Sequence, residues 1–212
     1  MAQELSGPVV FVVDDDVAVQ RLIRRMLELS GYRVQGFVSA EEFLNAHVSS
    51  GVGCLVIDLR LPGLNGLELQ QALSQAGRLF PIVFITGYGD IPTSVKAMKA
   101  GAVDFLAKPF TEEALLNAVR HALDRSRKEG AVKNELLKIQ KLLATLTARE
   151  AEVLPYIVAG WLNKQIAAEL GIAEQTVKIH RGRIMKKLQA RSLAELVQLA
   201  LKAELPLPPA SS

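Results

Sequence analysis

Three consecutive aspartates, Asp14-Asp15-Asp16, follow the apolar run Val9–Val13, and Asp58 follows a second run, Cys54–Ile57. Thr86 ends a third run, Ile82–Thr86, and Lys108 follows a fourth, Val103–Ala107. Carboxylates gathered from two such segments make a hard-oxygen site, suited to Mg²⁺ held by one or two carboxylates, waters and phosphate. A carboxylate is also a nucleophile towards phosphorus, and its attack gives an aspartyl phosphate. Phosphoryl transfer asks little of a protein beyond positioning and charge neutralisation. An ammonium such as that of Lys108 supplies charge, and a hydroxyl such as that of Thr86 donates a hydrogen bond. Taken singly these residues mean little. A strand-end Asp or Thr is more often a cap or turn former, and a lone Lys is usually solvated. Their combination, in order and each at the end of an apolar run, points to chemistry.

The elements that must position them follow from the same runs. Val9–Val13, Arg33–Phe37, Cys54–Ile57, Ile82–Thr86 and Val103–Ala107 read as strands. All but the second are nearly continuous apolar, as strands of a parallel sheet covered on both faces should be. Between them, apolar residues recur at helical spacing: Val19, Leu22, Ile23, Met26 and Leu27; Leu64, Leu67, Leu69 and Leu73; Val95 and Met98; then Leu115, Leu116, Val119, Ala122 and Leu123. Five β/α repeats predict an α/β doubly wound five-stranded parallel sheet. Such sheets bind ligands at the carboxyl ends of their strands, near the topological switch point, where every candidate residue stands. The single cysteine, Cys54, lies among Val52, Leu55, Val56 and Ile57, which predicts a core position and excludes an intrachain disulfide.

The rest of the chain has a different character. Over 212 residues, half apolar and 22% charged, a packed protein of one or two domains is expected. Residues 1–125 carry 11 Lys or Arg against 14 Asp or Glu, whereas residues 147–212 carry 9 against 6. An acidic front and a basic back suggest modules with different ligands. The spacing of Val132, Leu136, Ile139 and Leu143 predicts a linker helix over 126–144, with Gly130 weakening its junction to the preceding helix. Two heptads are short for a coiled coil. Thr147-Ala148-Arg149-Glu150 fits a capping box, and helices are expected over Asn163–Leu170, Ala173–Leu188 and Ser192–Leu201. Two helices joined across Gly171 fit a helix-turn-helix, with Ile166, Ala167, Leu170, Val177, Ile184 and Leu188 as its seam. From Gln175 to Arg191 there are six Lys or Arg and no acid, which suits phosphate neutralisation. A basic helix alone is more often a solvated face; the turn and the seam distinguish this one. The proline-rich stretch 205–212 predicts a disordered tail. No run resembles a signal peptide or is long enough to span a bilayer, so a cytoplasmic protein without a membrane partner is expected.

Residues 9–125 resemble the receiver domain of two-component response regulators. The resemblance is carried by Val12-Val13-Asp14-Asp15-Asp16, Ile57-Asp58-Leu59-Arg60-Leu61-Pro62-Gly63, Phe84-Ile85-Thr86-Gly87 and Lys108-Pro109-Phe110. It implies that Asp58 is the phosphoacceptor and that Thr86 and Lys108 contact the phosphoryl group. It implies a Mg²⁺ ion (or another divalent cation such as Mn²⁺) on Asp15 directly, Asp14 through water, Asp58, and the backbone carbonyl of Arg60. Phe105 is then the rotating switch aromatic, Thr86 pulls inward on phosphorylation, Gly87 leaves room for the phosphoryl group, and Lys108-Pro109 is cis. Arg60 and Tyr88 flank the site and are expected to tune phosphate lifetime.

Residues 145–203 resemble the LuxR-type helix-turn-helix of NarL/FixJ-class regulators. Leu146 to Glu150, Gly160, Asn163-Lys164, Ile166-Ala167, Leu170, Thr176-Val177, His180-Arg181 and Lys187-Leu188 carry the match. It implies that Lys178 and Ile179 face bases while Lys164, Thr176 and Arg181 lie near the sugar-phosphate backbone, all within Asn163 to Gly182. The last helix then supplies the dimer contact on DNA. Three features depart from the pattern: Gly182 replaces a base-contacting Lys, Pro155 should kink its helix, and Trp161 is expected to pack against a neighbouring domain. The domains are therefore 1–125, a receiver; 126–144, a linker; and 145–204, the helix-turn-helix. Together they imply a phosphorylation-dependent transcriptional regulator, phosphorylated by a histidine kinase and binding promoter DNA as a homodimer, with RNA polymerase as a further partner. It is no enzyme beyond its own phosphorylation and dephosphorylation. Three rival functions make different demands on the sequence. A metal-dependent phosphatase needs a further acid near its nucleophile, but Leu59 and Arg60 follow Asp58. A constitutive DNA-binding protein would use the receiver only to dimerise. A small-molecule-sensing regulator would not show five strands with this site at their ends.

Overall fold

The computed structural model describes residues 7–48, 51–78, 80–87 and 91–208, the side chains of 91–94 apart; Tyr88 and residues 209–212 of the expected tail lie outside them. The chain divides into two units, residues 1–130 and 131–212. In the first, the strands are β1 (Val9–Val13), β2 (Arg33–Phe37), β3 (Gly53–Asp58), β4 (Ile82–Thr86) and β5 (Asp104–Ala107). They form one parallel sheet in the order β2-β1-β3-β4-β5, the doubly wound sheet expected. The order reverses between β1 and β3, so the switch-point crevice opens beyond Val13 and Asp58. The register aligns the carboxyl ends: Val13 pairs with both Phe37 and Ile57, Asp58 with Ile85, and Thr86 with Ala107.

Alternation along each strand sends side chains to two cores. Phe11, Val13, Leu55, Ile57 and Phe84 pack on one face, with Phe37, Phe43, Leu69 and Leu73. Val10, Val12, Cys54, Val56, Val83 and Ile85 pack on the other, with Ile23, Leu27, Leu115, Val119 and Leu123. Each such aliphatic or Phe side chain contributes about 1.5–3 kcal/mol when fully buried. The covering helices are α1 (Val17–Leu29), α2 (Ala40–Asn45), α3 (Gly66–Gln75), α4 (Ile91–Lys99) and the first part of α5 (Glu112–Leu143). The apolar periodicity did not announce α2, which is only six residues long. A cap signal was available: the Ser39 hydroxyl accepts from the Glu42 N–H. Two glycines seat elements against the sheet. A Cβ on Gly53 would lie 2.8 Å from the Val9 carbonyl oxygen, and one on Gly66 would lie 2.8 Å from that of Asp58.

In the second unit, α6 (Ala148–Val158), α7 (Asn163–Leu170), α8 (Glu174–Lys187) and α9 (Leu193–Lys202) enclose Val153, Leu154, Ile157, Ile166, Val177, Ile184, Leu188 and Leu196. Thr147 caps α6 through the expected box with Glu150, and Gly171, at φ +62°, ends α7 in the left-handed conformation. The seam is buried as expected, with Leu170 partly so. Three details bear on the sequence reading. α5 runs unbroken through Gly130, because a glycine costs a helix only about 1 kcal/mol and its neighbours are good helix formers. Pro155 sits inside α6, which continues to Val158; its carbonyl still accepts from Ala159. Trp161 packs edge-on against Tyr156 at 5.0 Å, within its own unit.

Candidate functional sites

The acidic site is assembled from strand ends. Asp14 directly follows β1 and is buried, and Asp58, the last residue of β3, is 8% exposed. Lys108 follows β5, and its backbone N–H donates to the Thr86 carbonyl at 2.6 Å, which binds the ends of β4 and β5. Its ammonium donates to Asp14 Oδ2 at 2.8 Å and to Asp58 Oδ2. The remaining carboxylate oxygens are held locally: Asp14 Oδ1 accepts from the Asp16 N–H, and Asp58 Oδ1 from the Arg60 N–H, both at 2.9 Å. Asp16 caps α1, accepting from Ala18 and Val19. Asp15 is exposed beside Asp14, Thr86 is fully buried at the end of β4, and Arg60 is exposed on the loop after β3. Phe105 is half-buried in β5 against the first core. Apart from Gly87 and its chain neighbours, no described atom lies within 4 Å of where a Cβ on Gly87 would stand. The Lys108-Pro109 bond is cis, as the resemblance implied.

The electrostatics of this cluster are lopsided. Burial pushes the Asp14 carboxyl above its usual range, against the pull of Lys108 and the Asp16 amide, and the Asp58 charge adds to the rise. Burial pulls Lys108 down, but the hydrogen bonds and charges of Asp14 and Asp58 outweigh it and leave the ammonium above its ordinary value. The two shifts have different causes: burial raises Asp14, whereas two carboxylates sharing one ammonium raise Lys108. The donor set is hard oxygen with room for positive charge, which fits a divalent cation. Among the described residues no group of three or more His, Cys, Asp or Glu side chains encloses a metal.

In the second unit, α8 is the longer helix of the helix-turn-helix. Lys178 and Ile179 are exposed on it, as are Arg183 and Lys186, and Lys164 is exposed on α7. Thr176 is half-buried. Arg181 is half-buried too, and its Nη1 donates to Asn163 Oδ1 at 2.8 Å, tying α8 to the start of α7. Gly182 is exposed, with open space beside it. On α9, Leu196 and Ala200 face inward while Leu193 and Leu201 remain exposed.

Several contacts escaped the sequence reading. Lys187 donates to Glu150 Oε2 at 2.6 Å and to the Thr145 carbonyl at 3.0 Å. The Lys187 ammonium and the Thr147 N–H together lower the Glu150 carboxyl to about 2. Glu41 on α2 accepts from the Leu64 N–H at 3.0 Å, anchoring the loop after β3, and Gln20 on α1 donates to the ends of β1 and β2. The capping box was legible in Thr147 and Glu150; nothing in the local pattern singles out Lys187, Glu41 or Gln20.

A lysine shared by two carboxylates at the switch point of a five-stranded doubly wound sheet, in a chain that continues into a helix-turn-helix, defines a response regulator. Residues 10–120 match the response regulator receiver domain, and residues 144–200 match the bacterial regulatory proteins of the luxR family. The chain is 47% identical over 192 residues to nodulation protein W of Bradyrhizobium diazoefficiens, covering 91% of this chain and 85% of that protein. It is 44% identical to the transcriptional regulatory protein FixJ of Azorhizobium caulinodans over 92% of both chains. Among solved structures, the response regulator StyR matches with a TM-score of 0.83 and 48% identity, covering 92% of this chain and 99% of that one. The chain therefore belongs to the NarL/FixJ family of response regulators, with a receiver domain and a LuxR-type helix-turn-helix. Its general activity is that of a phosphorylation-dependent DNA-binding regulator, not of an enzyme turning over a separate substrate. Among the described residues no helix is long and apolar enough to cross a membrane.

Proposed function

We propose that Asp58 accepts a phosphoryl group from the phosphohistidine of a partner kinase and that this gates dimeric binding to promoter DNA. The observation that carries the reading is the Lys108 ammonium shared by Asp58 and Asp14 at the carboxyl edge of the sheet. Asp58 Oδ2 attacks phosphorus, the P–N bond breaks, and the imidazole leaves with the electron pair. Lys108 balances the charge that moves onto the phosphoryl oxygens, and the Thr86 hydroxyl donates to one of them. Asp15, Asp58, the Arg60 carbonyl and, through water, Asp14 would hold Mg²⁺. When bound, the ion neutralises phosphoryl charge and helps orient the donor. Thr86 and Phe105 then shift, altering the surface of α4, β5 and α5. Two α8 helices engage adjacent half-sites, with Lys178 and Ile179 at bases and Lys164, Thr176 and Arg181 near phosphates. Arg181 reaches the backbone as a pre-oriented side chain, because Asn163 already holds its guanidinium.

The test is retention of sheared genomic DNA by the purified protein, with and without Mg²⁺ and beryllofluoride, which stands in for the phosphoryl group. Paired half-sites enriched only with beryllofluoride are expected. Equal enrichment in both samples would mean that the receiver does not gate binding and acts as a dimerisation module. In parallel, Asp58→Asn should fold normally yet take no label from a radioactive phosphodonor; labelling of that variant refutes the assignment of Asp58.

A further inference from the structure

We infer that Gln20 is a positioning residue for the divalent-cation site, setting its affinity from outside by clamping the ends of β1 and β2. The inference rests on the phosphoacceptor reading above. Gln20 lies in the second turn of α1 and carries no charge, so neither motif nor periodicity distinguishes it. Its Nε2 donates to the Asp14 carbonyl at 2.7 Å and to the Phe37 carbonyl at 2.6 Å. Both partners are acceptors, so the amide's orientation is dictated by its surroundings, and both of its N–H donors are used.

The position of this clamp gives it its role. The last rung between the two strands is the Asp14 N–H to the Phe37 carbonyl, at 3.2 Å. Beyond it the chains part, one into α1 and the other towards α2. Gln20 supplies the next connection. The Asp14 carbonyl belongs to the peptide unit that leads into Asp15, so holding it sets where Asp15 stands relative to Asp58. The side chain of Asp14 is already fixed by Asp16 and Lys108, which leaves this peptide as the adjustable part of the acidic loop. The opposite strand is built to admit the amide. A Cβ on Gly36 would lie 2.6 Å from Gln20 Oε1, so a larger residue there would displace the amide from the clamp.

The experiment compares wild type, Gln20→Met and Gln20→Glu, which remove the donors at nearly constant length, with Ile23→Val, which loosens the buried packing of α1 away from the clamp. Three quantities are read on the full chain: the Mn²⁺ dissociation constant from the free-ion paramagnetic resonance signal, hydrogen exchange of the Asp14 and Asp16 amides without metal, and the rate of labelling by acetyl phosphate across Mn²⁺ concentrations. Loss of such an outer partner weakens metal binding by about tenfold or more. Both Gln20 variants should therefore bind Mn²⁺ about tenfold more weakly. They should exchange the two amides faster and reach the wild-type labelling rate once Mn²⁺ is saturating, and Ile23→Val should change none of these. A Mn²⁺ constant within twofold of wild type in both Gln20 variants overturns the inference, as does an equal loss in Ile23→Val. If wild type itself binds no Mn²⁺, or Asp58→Asn takes label, the phosphoacceptor reading falls and takes the clamp with it.

Discussion

Glu150 shows what one buried carboxylate does in the second unit. It closes the cap of α6 through the Thr147 N–H at 2.8 Å and meets the Lys187 ammonium from the end of α8. Both interactions favour its charged form and hold its pKa near 2. A carboxyl whose folded pKa lies below its unfolded one binds its proton more weakly in the native state. Its contribution to stability is therefore complete above the ordinary carboxylate range and disappears as pH falls through about 2. Glu150→Gln keeps much of the cap but loses the charge. At pH 7 it should cost about 1 kcal/mol, a figure discounted because the Lys187 side chain is one-third exposed. Urea midpoints at pH 7, 4 and 2.5 check this. The gap between wild type and variant should shrink towards the acid end, and a constant gap would show that the charge is not what matters.

At the scale of elements, two helical glycines make opposite predictions. Gly130 lies inside α5 with open space around it, so Gly130→Ala removes a flexible residue without a clash. It should stabilise the protein by about 0.5–1 kcal/mol, read as a rise in melting temperature. Gly66 begins α3, and a Cβ there would stand 2.8 Å from the Asp58 carbonyl and 3.1 Å from the Phe84 ring. Backbone and a fully buried ring have nowhere to go, so Gly66→Ala should cost about 1–3 kcal/mol. Because the displaced strand end carries Asp58, it should also slow labelling by a phosphodonor. If Gly66→Ala melts and labels like wild type, the start of α3 is not the tight seat described.

At the scale of the whole molecule, each unit carries its own core. The first is a sheet with clusters on both faces, and the second is a single cluster among four helices and the end of α5. A core of that kind is what lets a domain fold alone. Residues 1–130 and 131–212 expressed separately should each unfold cooperatively by circular dichroism. The first should keep labelling on Asp58 and the second should keep salt-dependent DNA binding. A broad, non-cooperative melt of either fragment would show that its stability depends on the other.

Much of this was legible in the chain itself. The strands could be read because burial on both faces leaves runs such as Cys54–Ile57 without polar residues, and the five strand spans agree with the structure to within a residue. The acidic site could be read because each member stands just at a strand end, a position that order along the chain already specifies. The capping box of Thr147 and Glu150 and the stop at Gly171 are local rules, satisfied within a few residues. What the sequence could not decide are contacts whose partners lie far apart in the chain. One ammonium divided between Asp14 and Asp58, the bridge from Lys187 to Glu150, Arg181 on Asn163 and the Gln20 clamp all depend on where separate elements come to rest. Periodicity reports which face a residue turns inward; it carries no record of which polar atom waits there. That pairing is settled only when packing brings the elements together, because a buried donor or acceptor must then find whatever partner lies within 3 Å or remain unsatisfied at a cost of about 1–3 kcal/mol.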